Sequence, residues 1–420
     1  MSITEHYDVL IAGAGHGGTQ LALTLRQRKF GGSIGLVGGE PDLPYERPPL
    51  SKEYLAAERA FDRLVFRPES YWRDRQVMLR LGSPITAVDP VDHCVCLSSG
   101  TRLRYGVLVW ACGGEPRRLT CSGSDLPGVH TLRTRLDVDK VRAELAAAQR
   151  IAVVGAGYIG LEAAATLRKL GKDVTVVEAL DRVLARVAGE PLSRFYEAEH
   201  RAHGVQLLLG STVECIEGDG SRVRGLRLNG GTFVPADLVI VGIGITPVSQ
   251  PLLSAGAAVG NGVLVDDYGR TSLPDIYALG DCALHANYHA DGSLIRLESV
   301  QNATDMALTV AKAITGQSEP YRAIPWFWSN QYDLRLQTVG LSAGHDDAIV
   351  RGEPASRSFS VIYRRGGRVV ALDCVNTPKD FMQGRALVRD RISAAPADLA
   401  NTRLPLAALT RVEEAAVQQE

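Results

Sequence analysis

Two glycine-rich turns of the kind that bind dinucleotides constrain this chain more than any other feature. The first glycine turn, GAGHGG at residues 13–18, follows an apolar strand predicted over 9–12 and precedes an amphipathic helix. The second glycine turn, GAGYIG at residues 155–160, occupies the same place in IAVVGAGYIGLEAAATL. The glycines of such turns allow a tight bend, close approach of a pyrophosphate and close helix–strand packing. Two copies predict two dinucleotide sites in one α/β chain.

Each turn is followed at the right distance by an acidic residue. Glu40 comes just after the strand predicted over 34–37, and Glu178 ends the strand predicted after the second glycine turn. A carboxylate about 20 residues past such a turn accepts a hydrogen bond from a ribose hydroxyl. Glycine-rich turns also occur for packing alone, but here strand, helix and acid are all in place. The candidate cofactor-binding residues are Gly13, Gly15, Gly17, Gly18 and Glu40 in the first unit, and Gly155, Gly157, Ile159, Gly160 and Glu178 in the second.

Glu178 also bears on which nicotinamide nucleotide binds. A carboxylate at this place accepts from the free ribose diol of NADH and repels the 2′-phosphate of NADPH. Arg182 and Arg186 follow closely and can soften that repulsion. The sequence favours NADH.

A third signature, YALGDC at residues 277–282, places Asp281 after a strand predicted over 276–279. Open parallel sheets bind ligands at the carboxyl ends of their strands, although an Asp there is more often a cap or turn residue. Paired with the first glycine turn, Asp281 resembles the flavoprotein aspartate that holds the ribityl chain of FAD. The first dinucleotide-binding domain is then interrupted by the second, and LVWACGG (108–114) and LVIVGIGITP (238–247) are the predicted crossing strands. One turn would hold FAD permanently, and the other would receive a nicotinamide nucleotide.

Composition excludes several other classes of protein. The 420 residues carry a formal net charge of -1, which offers no basic excess for nucleic acid. No apolar run reaches the ~20 residues of a membrane span, and the first residues run straight into a strand without a basic and apolar leader. The expected location is cytoplasmic. Seven scattered cysteines without a CxxC pair are expected to be buried structural thiols rather than disulfides.

Several further motifs together resemble one family, the FAD-dependent NADH–ferredoxin reductases of bacterial oxygenase systems, which are putidaredoxin reductase-like. The motifs run nearly end to end: PYERPPLSKEYL (44–55), VVGAGYIGLEAAATL (153–167), YALGDC (277–282), RLESVQNA (296–303), PWFWSNQYD (325–333) and DCVNTPKDF (373–381). The resemblance implies a glutathione-reductase-like α/β fold of the pyridine nucleotide-disulfide oxidoreductase superfamily. It has two Rossmann-like domains and a C-terminal α+β domain. The expected bounds are 1–115 and 245–322 for the FAD domain, 116–244 for the NAD domain and 323–420 for the C-terminal interface domain.

The resemblance also implies a catalytic pair, Lys52 and Glu162. Lys52 would lie beside the hydride-accepting edge of the flavin and balance its negative charge, while Glu162 would fix Lys52 and line the nicotinamide pocket. The alternatives are a surface lysine and an acidic residue favoured by the start of its helix.

Further cofactor contacts follow from the same resemblance. Arg47, Arg133 and the neighbourhood of Ile85 resemble FAD contacts of the family. Val300 would place its backbone N–H on the flavin at the start of a helix predicted over 302–314, and Gly244 would flank the nicotinamide. Two departures, Cys112 in place of the usual threonine and Asn330 in WSNQY, lie off the expected hydride path.

In this family hydride passes from NADH to the flavin, and single electrons then pass to a small, acidic 2Fe–2S ferredoxin that supplies a monooxygenase or dioxygenase. Trp328 is the candidate partner-binding residue, although Trp326 and Trp328 also suit a core aromatic pair. Basic residues that could steer an acidic partner cluster in sequence at Arg63, Arg67, Arg73 and Arg75, and at Arg335, Arg364, Arg365 and Arg368. A monomer or weak dimer is expected, with no nucleic-acid or membrane partner and no metal.

Two alternatives remain beside this interpretation. A flavin disulfide reductase or NADH oxidase needs a redox-active cysteine where this chain has Pro49-Leu50-Ser51-Lys52. An apoptosis-inducing-factor-like NADH-sensing flavoprotein would signal to a binding partner rather than deliver electrons. A rubredoxin or other small-acceptor reductase is a close variant of the main interpretation.

Overall fold

The computed structural model describes residues 5–410, which form two compact units. The first unit contains the described residues up to Arg47, Phe61–Glu115 and Ile245–Pro325. The second contains Pro48–Ala60, Pro116–Gly244 and the described residues from Trp326 onward. Residues 1–4 and 411–420, at the outer bounds of the predicted domains, lie outside the described residues.

A seven-stranded sheet forms the core of the first unit. Its strands, in spatial order, are Val77–Arg80, Ile34–Val37, Glu5–Ala12, Arg102–Trp110, Cys94–Leu97 and Ile85–Asp89, with Ile276–Ala278 also paired to Arg102–Trp110. The strands that flank Glu5–Ala12 are parallel to it, and Cys94–Leu97 and Ile85–Asp89 add an antiparallel extension. Parallel strands are covered on both faces, which explains the unbroken apolar run Val9–Ala12 with no exposed side chain.

Helices and small sheets complete the first unit. The helix that follows the first glycine turn, His16–Gln27, packs against Val300–Ile314, and its buried apolar side chains include Leu21, Ala22 and Leu25. The shorter helices are Glu69–Asp74 and Gln250–Ser254, with 3-10 turns at Phe61–Arg63, Gly280–Cys282 and Tyr288–Ala290. A four-stranded sheet contains Val259–Gly260, Gly262–Val265, Ala283–Ala286 and Leu294–Ile295, and Gly114–Pro116 pairs with Ile245–Pro247.

The second unit contains a second parallel sheet, built around the second glycine turn. Its strands, in spatial order, are Gln206–Leu208, Asp173–Val177, Arg150–Val154, Leu238–Val241 and Val129–Thr131. The helices are Arg135–Leu145, Tyr158–Lys169 and Glu190–Ala202, and a 3-10 turn spans Pro48–Ser51. An antiparallel sheet of Val213–Gly218, Val223–Leu228 and Phe233–Pro235 covers one side.

The C-terminal part of the second unit is an antiparallel sheet with helices. The strand order is Trp326–Gln331, Leu334–Gly340, Arg368–Val375, Ser358–Arg365 and Asp347–Glu353. A 3-10 turn spans Pro354–Ser356, and the helices are Pro378–Arg389 and Pro396–Ala400. In the sequence, RSFSVIYRRGGRVVALDCV (357–375) predicts two strands around an RGG turn, and DFMQGRALVRDRI (380–392) predicts a helix. Both predictions are confirmed by the hairpin of Ser358–Arg365 with Arg368–Val375 and by the helix Pro378–Arg389.

The predicted α/β class, with two parallel sheets around glycine turns and a C-terminal α+β part, is confirmed. The predicted crossing segment 108–114 overlaps the end of the strand Arg102–Trp110, and the segment 238–247 contains the strand Leu238–Val241. These two strands lie in different sheets. All seven cysteine thiols are free, and three of them, Cys94, Cys282 and Cys374, are buried. Within residues 5–410, no helix combines the length and apolar character that crossing a membrane requires.

Candidate active site

The first glycine turn has the geometry of a phosphate cradle. Gly13 has a φ of 107°, and a Cβ there would collide with the backbone of Ala111. A Cβ on Gly18 would collide with the carbonyl oxygen of Gly13, and one on Gly17 would lie 2.5 Å from Leu279. These three glycines are required by the close packing of strand, turn and helix.

Gly15 differs from its neighbours because the space in front of it is open. The nearest atom to a Cβ at Gly15 is Nε of Arg47, at 4.0 Å. Gly15 is also the N-cap of the helix His16–Gln27 and has no side-chain cap, which suits an anionic ligand at the helix N-terminus. The open cradle, the uncapped helix and a guanidinium beside it fit the pyrophosphate of FAD.

Arg47 is held in place by two neighbours from the same unit. Its Nη2 donates to Glu40 at 2.5 Å, and the Tyr45 hydroxyl donates to the other oxygen of Glu40 at 2.5 Å. Desolvation disfavours the charged form of Arg47, but the charges of Glu40 and Asp281 help to outweigh it and raise the pKa of Arg47. Glu40, Arg47 and Asp281 therefore belong to one electrostatic cluster at the carboxyl ends of the strands.

The remaining candidate FAD-binding residues of the first unit lie in a short 3-10 turn or at the first residue of a helix or strand. Asp281 lies in the turn Gly280–Cys282 directly after a strand. Val300 is the first residue of its helix, two residues earlier than predicted because the Ser299 hydroxyl accepts from the Asn302 N–H and caps the helix there. Ile85 is half-buried at the start of the strand Ile85–Asp89.

The second glycine turn repeats the first in detail. A Cβ on Gly155, whose φ is 103°, would lie 2.5 Å from the carbonyl oxygen of Gly242, and one on Gly160 would collide with Gly155. A Cβ on Gly157 has no heavy atom within 4 Å, and Gly157 caps its helix without a side-chain hydrogen bond. The side chain of Ile159 is 45% exposed beside it. This open cradle fits a second pyrophosphate.

Glu178 faces the second glycine turn directly. Its carboxylate accepts from the N–H of Ala156 at 2.6 Å and from the N–H of Leu180 at 2.9 Å. Arg182 is turned away from this role, since its guanidinium donates to the carbonyl oxygens of Ala185 and Ala188. The negative charge beside the turn is therefore not offset by Arg182.

Two further candidates in the second unit lie near helix and strand ends. Gly244 has a φ of 97°, and its Cβ position faces open space. The backbone N–H of Arg133 donates to Asp137 at 3.2 Å, at the capped start of the helix Arg135–Leu145.

Lys52 and Glu162 form a buried ion pair within the second unit. Nζ of Lys52 lies 2.5 Å from Oε2 of Glu162 and donates to the carbonyl oxygen of Pro48 at 2.9 Å. The side chains are 13% and 2% exposed, so Lys52 is not a surface lysine. Glu162 is the fifth residue of its helix, beyond the first turn where a helix dipole acts strongly. The negative charge of Glu162 is therefore stabilised by its contact with Lys52 rather than by the helix dipole.

Two serines that hold Glu162 were not predicted as site residues. The Ser51 hydroxyl donates to Oε2 at 2.7 Å, and the Ser329 hydroxyl donates to Oε1 at 2.7 Å. Ser51 lies in the motif RPPLSK and Ser329 in the motif WSNQY. Membership of these motifs is the sequence signal that points to the two serines. Glu162 thus has partners on both oxygens.

Trp326 and Trp328 form an aromatic pair with ring centroids 5.6 Å apart, and both are half-buried. Trp326 also contacts Phe381. In the first unit, Arg67 and Arg75 both lie over the ring of Tyr71, at 5.4 and 5.1 Å from its centroid. Arg364, of the second basic set, pairs with Asp347. No group of three or more His, Cys, Asp or Glu residues within the described chain could hold a metal.

A buried acid, Asp373, lies on the C-terminal sheet and accepts from the Tyr363 hydroxyl at 2.6 Å. Burial raises the pKa of Asp373 from 3.8 to about 7. Between these two values the folded state holds a proton that the unfolded state has lost. The free energy of unfolding contributed by this group therefore falls as the pH rises through this window.

Asp373→Asn removes this titration while it keeps an oxygen that can accept from Tyr363. We expect the variant to be as stable as the parent near pH 4 and more stable above pH 7, by on the order of 4 kcal/mol. Urea unfolding of both proteins across this pH range measures the difference. A difference that does not change with pH would contradict the buried titration.

Comparisons with known proteins give matches along nearly the whole chain. Residues 7–307 match the family model of the pyridine nucleotide-disulphide oxidoreductases, and residues 326–410 match the model described as reductase C-terminal. The chain is 58% identical to the 5,5'-dehydrodivanillate O-demethylase ferredoxin reductase subunit of a Sphingobium species, over 97% of this chain and 99% of that one. It is 39% identical to the putidaredoxin reductase of Pseudomonas putida, over 95% and 96% of the two chains.

Solved structures are also similar to this chain, among them the covalent putidaredoxin reductase–putidaredoxin complex. The similarity has a TM-score of 0.93 at 38% identity and covers 98% of this chain and 99% of that one.

Proposed function

The chain belongs to the pyridine nucleotide-disulphide oxidoreductase family, and from this premise we propose that it is an NADH-dependent ferredoxin reductase of a bacterial oxygenase system. The resemblance inferred from the sequence motifs is confirmed by the matches. The observation that carries the proposal is the buried Lys52–Glu162 pair, with Glu162 on the helix of the second glycine turn.

The cofactors of the family and of the ferredoxin reductases are FAD and NAD(P)H. Bound FAD supplies the conversion of a two-electron hydride into two single electrons. We assign FAD to the domain of residues 1–115 and 245–322, with the first glycine turn, Glu40, Arg47, Ile85, Asp281 and Val300, together with Arg133. We assign NADH to the domain of residues 116–244, with the second glycine turn, Ile159, Glu178 and Gly244.

Lys52 and Glu162 are the proposed catalytic residues. The ammonium of Lys52 would stabilise negative charge that develops at the reacting site, and Glu162 would keep the ammonium in one orientation. A buried ammonium without its carboxylate would be costly, so the two side chains act as a unit.

A small, acidic 2Fe–2S ferredoxin is the proposed electron acceptor, bound transiently through residues 323–420 and Trp328. Trp328 is partly exposed, as a partner-binding residue must be, and Arg335 and Arg368 are exposed. Exposed positive charges would attract an acidic ferredoxin and raise its association rate more than its affinity. The proposed location is the cytoplasm. The rate of ferredoxin reduction should fall as the ionic strength rises.

The test of cofactor use is an anaerobic titration of the purified protein with NADH, followed by flavin absorbance. We expect a yellow protein whose flavin band bleaches with NADH. A colourless protein, or a flavin that NADH leaves oxidised, would contradict the proposal.

Glu178 is expected to set the preference for NADH. In Glu178→Ala the repulsion of a 2′-phosphate is lost, so the ratio of kcat/KM with NADH to kcat/KM with NADPH should fall by about tenfold. The ratio is the readout because the variant also loses two backbone hydrogen bonds and both affinities can change. An unchanged ratio would show that another residue selects the nucleotide.

A further inference from the structure

A single file of hydrogen bonds inside the second unit ends on Glu162. Oε1 of Glu162 accepts from the Ser329 hydroxyl at 2.7 Å, and that hydroxyl lies 3.2 Å from Nε2 of Gln331. Oε1 of Gln331 lies 2.8 Å from Nε2 of His200, and Nδ1 of His200 lies 3.1 Å from the Tyr332 hydroxyl. Ser329, Gln331 and His200 are at most 1% exposed. We call Ser329, Gln331, His200 and Tyr332 the Glu162 relay.

The chemistry of the groups sets one direction for every bond in the relay. A carboxylate can only accept, so Ser329 donates to Glu162 and its oxygen is left to accept from the amide of Gln331. The amide oxygen of Gln331 can only accept, so Nε2 of His200 must carry the proton. Nδ1 is then the acceptor for Tyr332. Burial lowers the pKa of His200 to about 4, which agrees with a neutral ring.

Local structure brings the relay together. Ser329 and Gln331 are two residues apart on the strand Trp326–Gln331 and so point to the same face. His200 comes from the last turn of the helix Glu190–Ala202. Tyr332 occupies the turn after the strand with a φ of 57°, a left-handed conformation that is strained for a tyrosine, and its ring stacks on His203 with the ring centroids 3.7 Å apart.

A buried chain of hydrogen-bonded polar side chains costs more free energy than apolar packing between the same strand and helix. Apolar side chains of similar volume would join them without needing every donor and acceptor to be matched. The relay instead delivers one donor to the Glu162 oxygen that Lys52 does not contact. Without that donor the carboxylate would keep partners on Oε2 alone and could rotate about its terminal bond.

We propose that Ser329, Gln331 and His200 are positioning residues, which orient the carboxylate of Glu162 and through it the ammonium of Lys52. The inference rests on the proposed function, because it assumes that the Lys52–Glu162 pair serves hydride transfer. It adds that the orientation of the pair is set from the C-terminal sheet and the helix Glu190–Ala202.

The first test is a double-mutant cycle on the rate of flavin reduction by NADH. Ser329→Ala should slow the reaction about tenfold, the equivalent of one hydrogen bond to a charged group, with little change in the KM for NADH. In a Glu162→Gln background the same change should have almost no further effect. The proposal would be overturned if Ser329→Ala had no effect on the rate. It would also be overturned if the double variant were slowed by the product of the two single-variant factors.

Ser360→Ala is the matched control. Ser360 is equally buried on the same sheet, but its hydroxyl bonds Thr377 and Asp380. We expect it to lower the melting temperature as Ser329→Ala does while hydride transfer stays at the parent rate. Equal slowing by both variants would make the role of Ser329 merely structural.

Two variants of His200 test the far end of the relay. His200→Gln keeps an N–H that can reach Gln331 and should retain most of the rate, whereas His200→Leu should slow it about as much as Ser329→Ala. Equal rates for the two variants would overturn the proposed direction of donation.

A readout independent of activity is the nitrogen-15 spectrum of the histidine side chains. His200 should be neutral with its proton on Nε2, and Glu162→Gln should shift the ring resonances of His200. When Ser329→Ala is already present, Glu162→Gln should no longer shift them. No shift in the parent background would contradict the relay. If the parent protein itself is not reduced by NADH, the proposed function fails, whereas normal reduction with inert relay variants overturns the relay alone.

Discussion

Glu162→Gln should slow the reduction of the flavin by NADH by about a hundredfold, with little change in the KM for NADH. The side chain of Glu162 is 2% exposed and its carboxylate lies 2.5 Å from the ammonium of Lys52. Glutamine keeps the shape but removes the charge, so the ammonium retains only neutral partners such as the Pro48 carbonyl oxygen. Lys52 then lacks the charged partner that fixes its position, so the positive charge it supplies is misplaced. Stopped-flow absorbance of the flavin band measures the rate.

Glu58→Gln is the matched control for this prediction. Glu58 also pairs with a lysine of the same unit, Lys169, but both side chains are exposed, at 45% and 64%. Exposed pairs contribute little, so this variant should reduce its flavin at nearly the parent rate. If Glu162→Gln reacts as fast as Glu58→Gln, the buried pair has no part in hydride transfer.

Gly157→Ala is expected to weaken NADH binding at least about tenfold while the protein folds and keeps its FAD. Gly157 has a φ of -76° that alanine adopts freely, and its Cβ would meet no heavy atom within 4 Å. The protein alone therefore gives no reason for a glycine here. The methyl group would instead occupy the space through which the pyrophosphate approaches the backbone.

Three measurements separate this account from general destabilisation. The melting temperature and the flavin content of Gly157→Ala should match the parent, and titration with NAD+ or NADH gives the affinity. Gly31→Ala, an exposed glycine with equally open space, should change none of these. If Gly157→Ala binds NADH as tightly as the parent protein, the second glycine turn is not the nucleotide site.

Features with local causes were predictable from the sequence. Both glycine turns, the strand Ile34–Val37 and the C-terminal hairpin depend on residues next to one another in the chain, so their patterns are visible without the fold. Small errors arose where a cap or turn decided the end. The helix predicted from Asn302 begins at Val300 because of Ser299, and the strand predicted to Leu279 ends at Ala278.

The surroundings of Glu162 could not be predicted in this way. Ser51 and Ser329 lie 111 and 167 residues from Glu162 in the chain. No periodicity or spacing connects them, and only the tertiary fold brings three segments to one carboxylate. Glu40 is similar, since the sequence indicates a ribose acceptor but not that Arg47 and Tyr45 bind both of its oxygens.

Electron delivery to a ferredoxin can be followed by rapid mixing. The protein is reduced with NADH under anaerobic conditions and then mixed with an oxidised 2Fe–2S ferredoxin, while the flavin and iron–sulfur bands are followed together. We expect the flavin band to return rapidly as the ferredoxin is reduced, and more slowly at high salt. A reduced protein that persists in the presence of ferredoxin would exclude a ferredoxin reductase and favour an NADH-sensing flavoprotein.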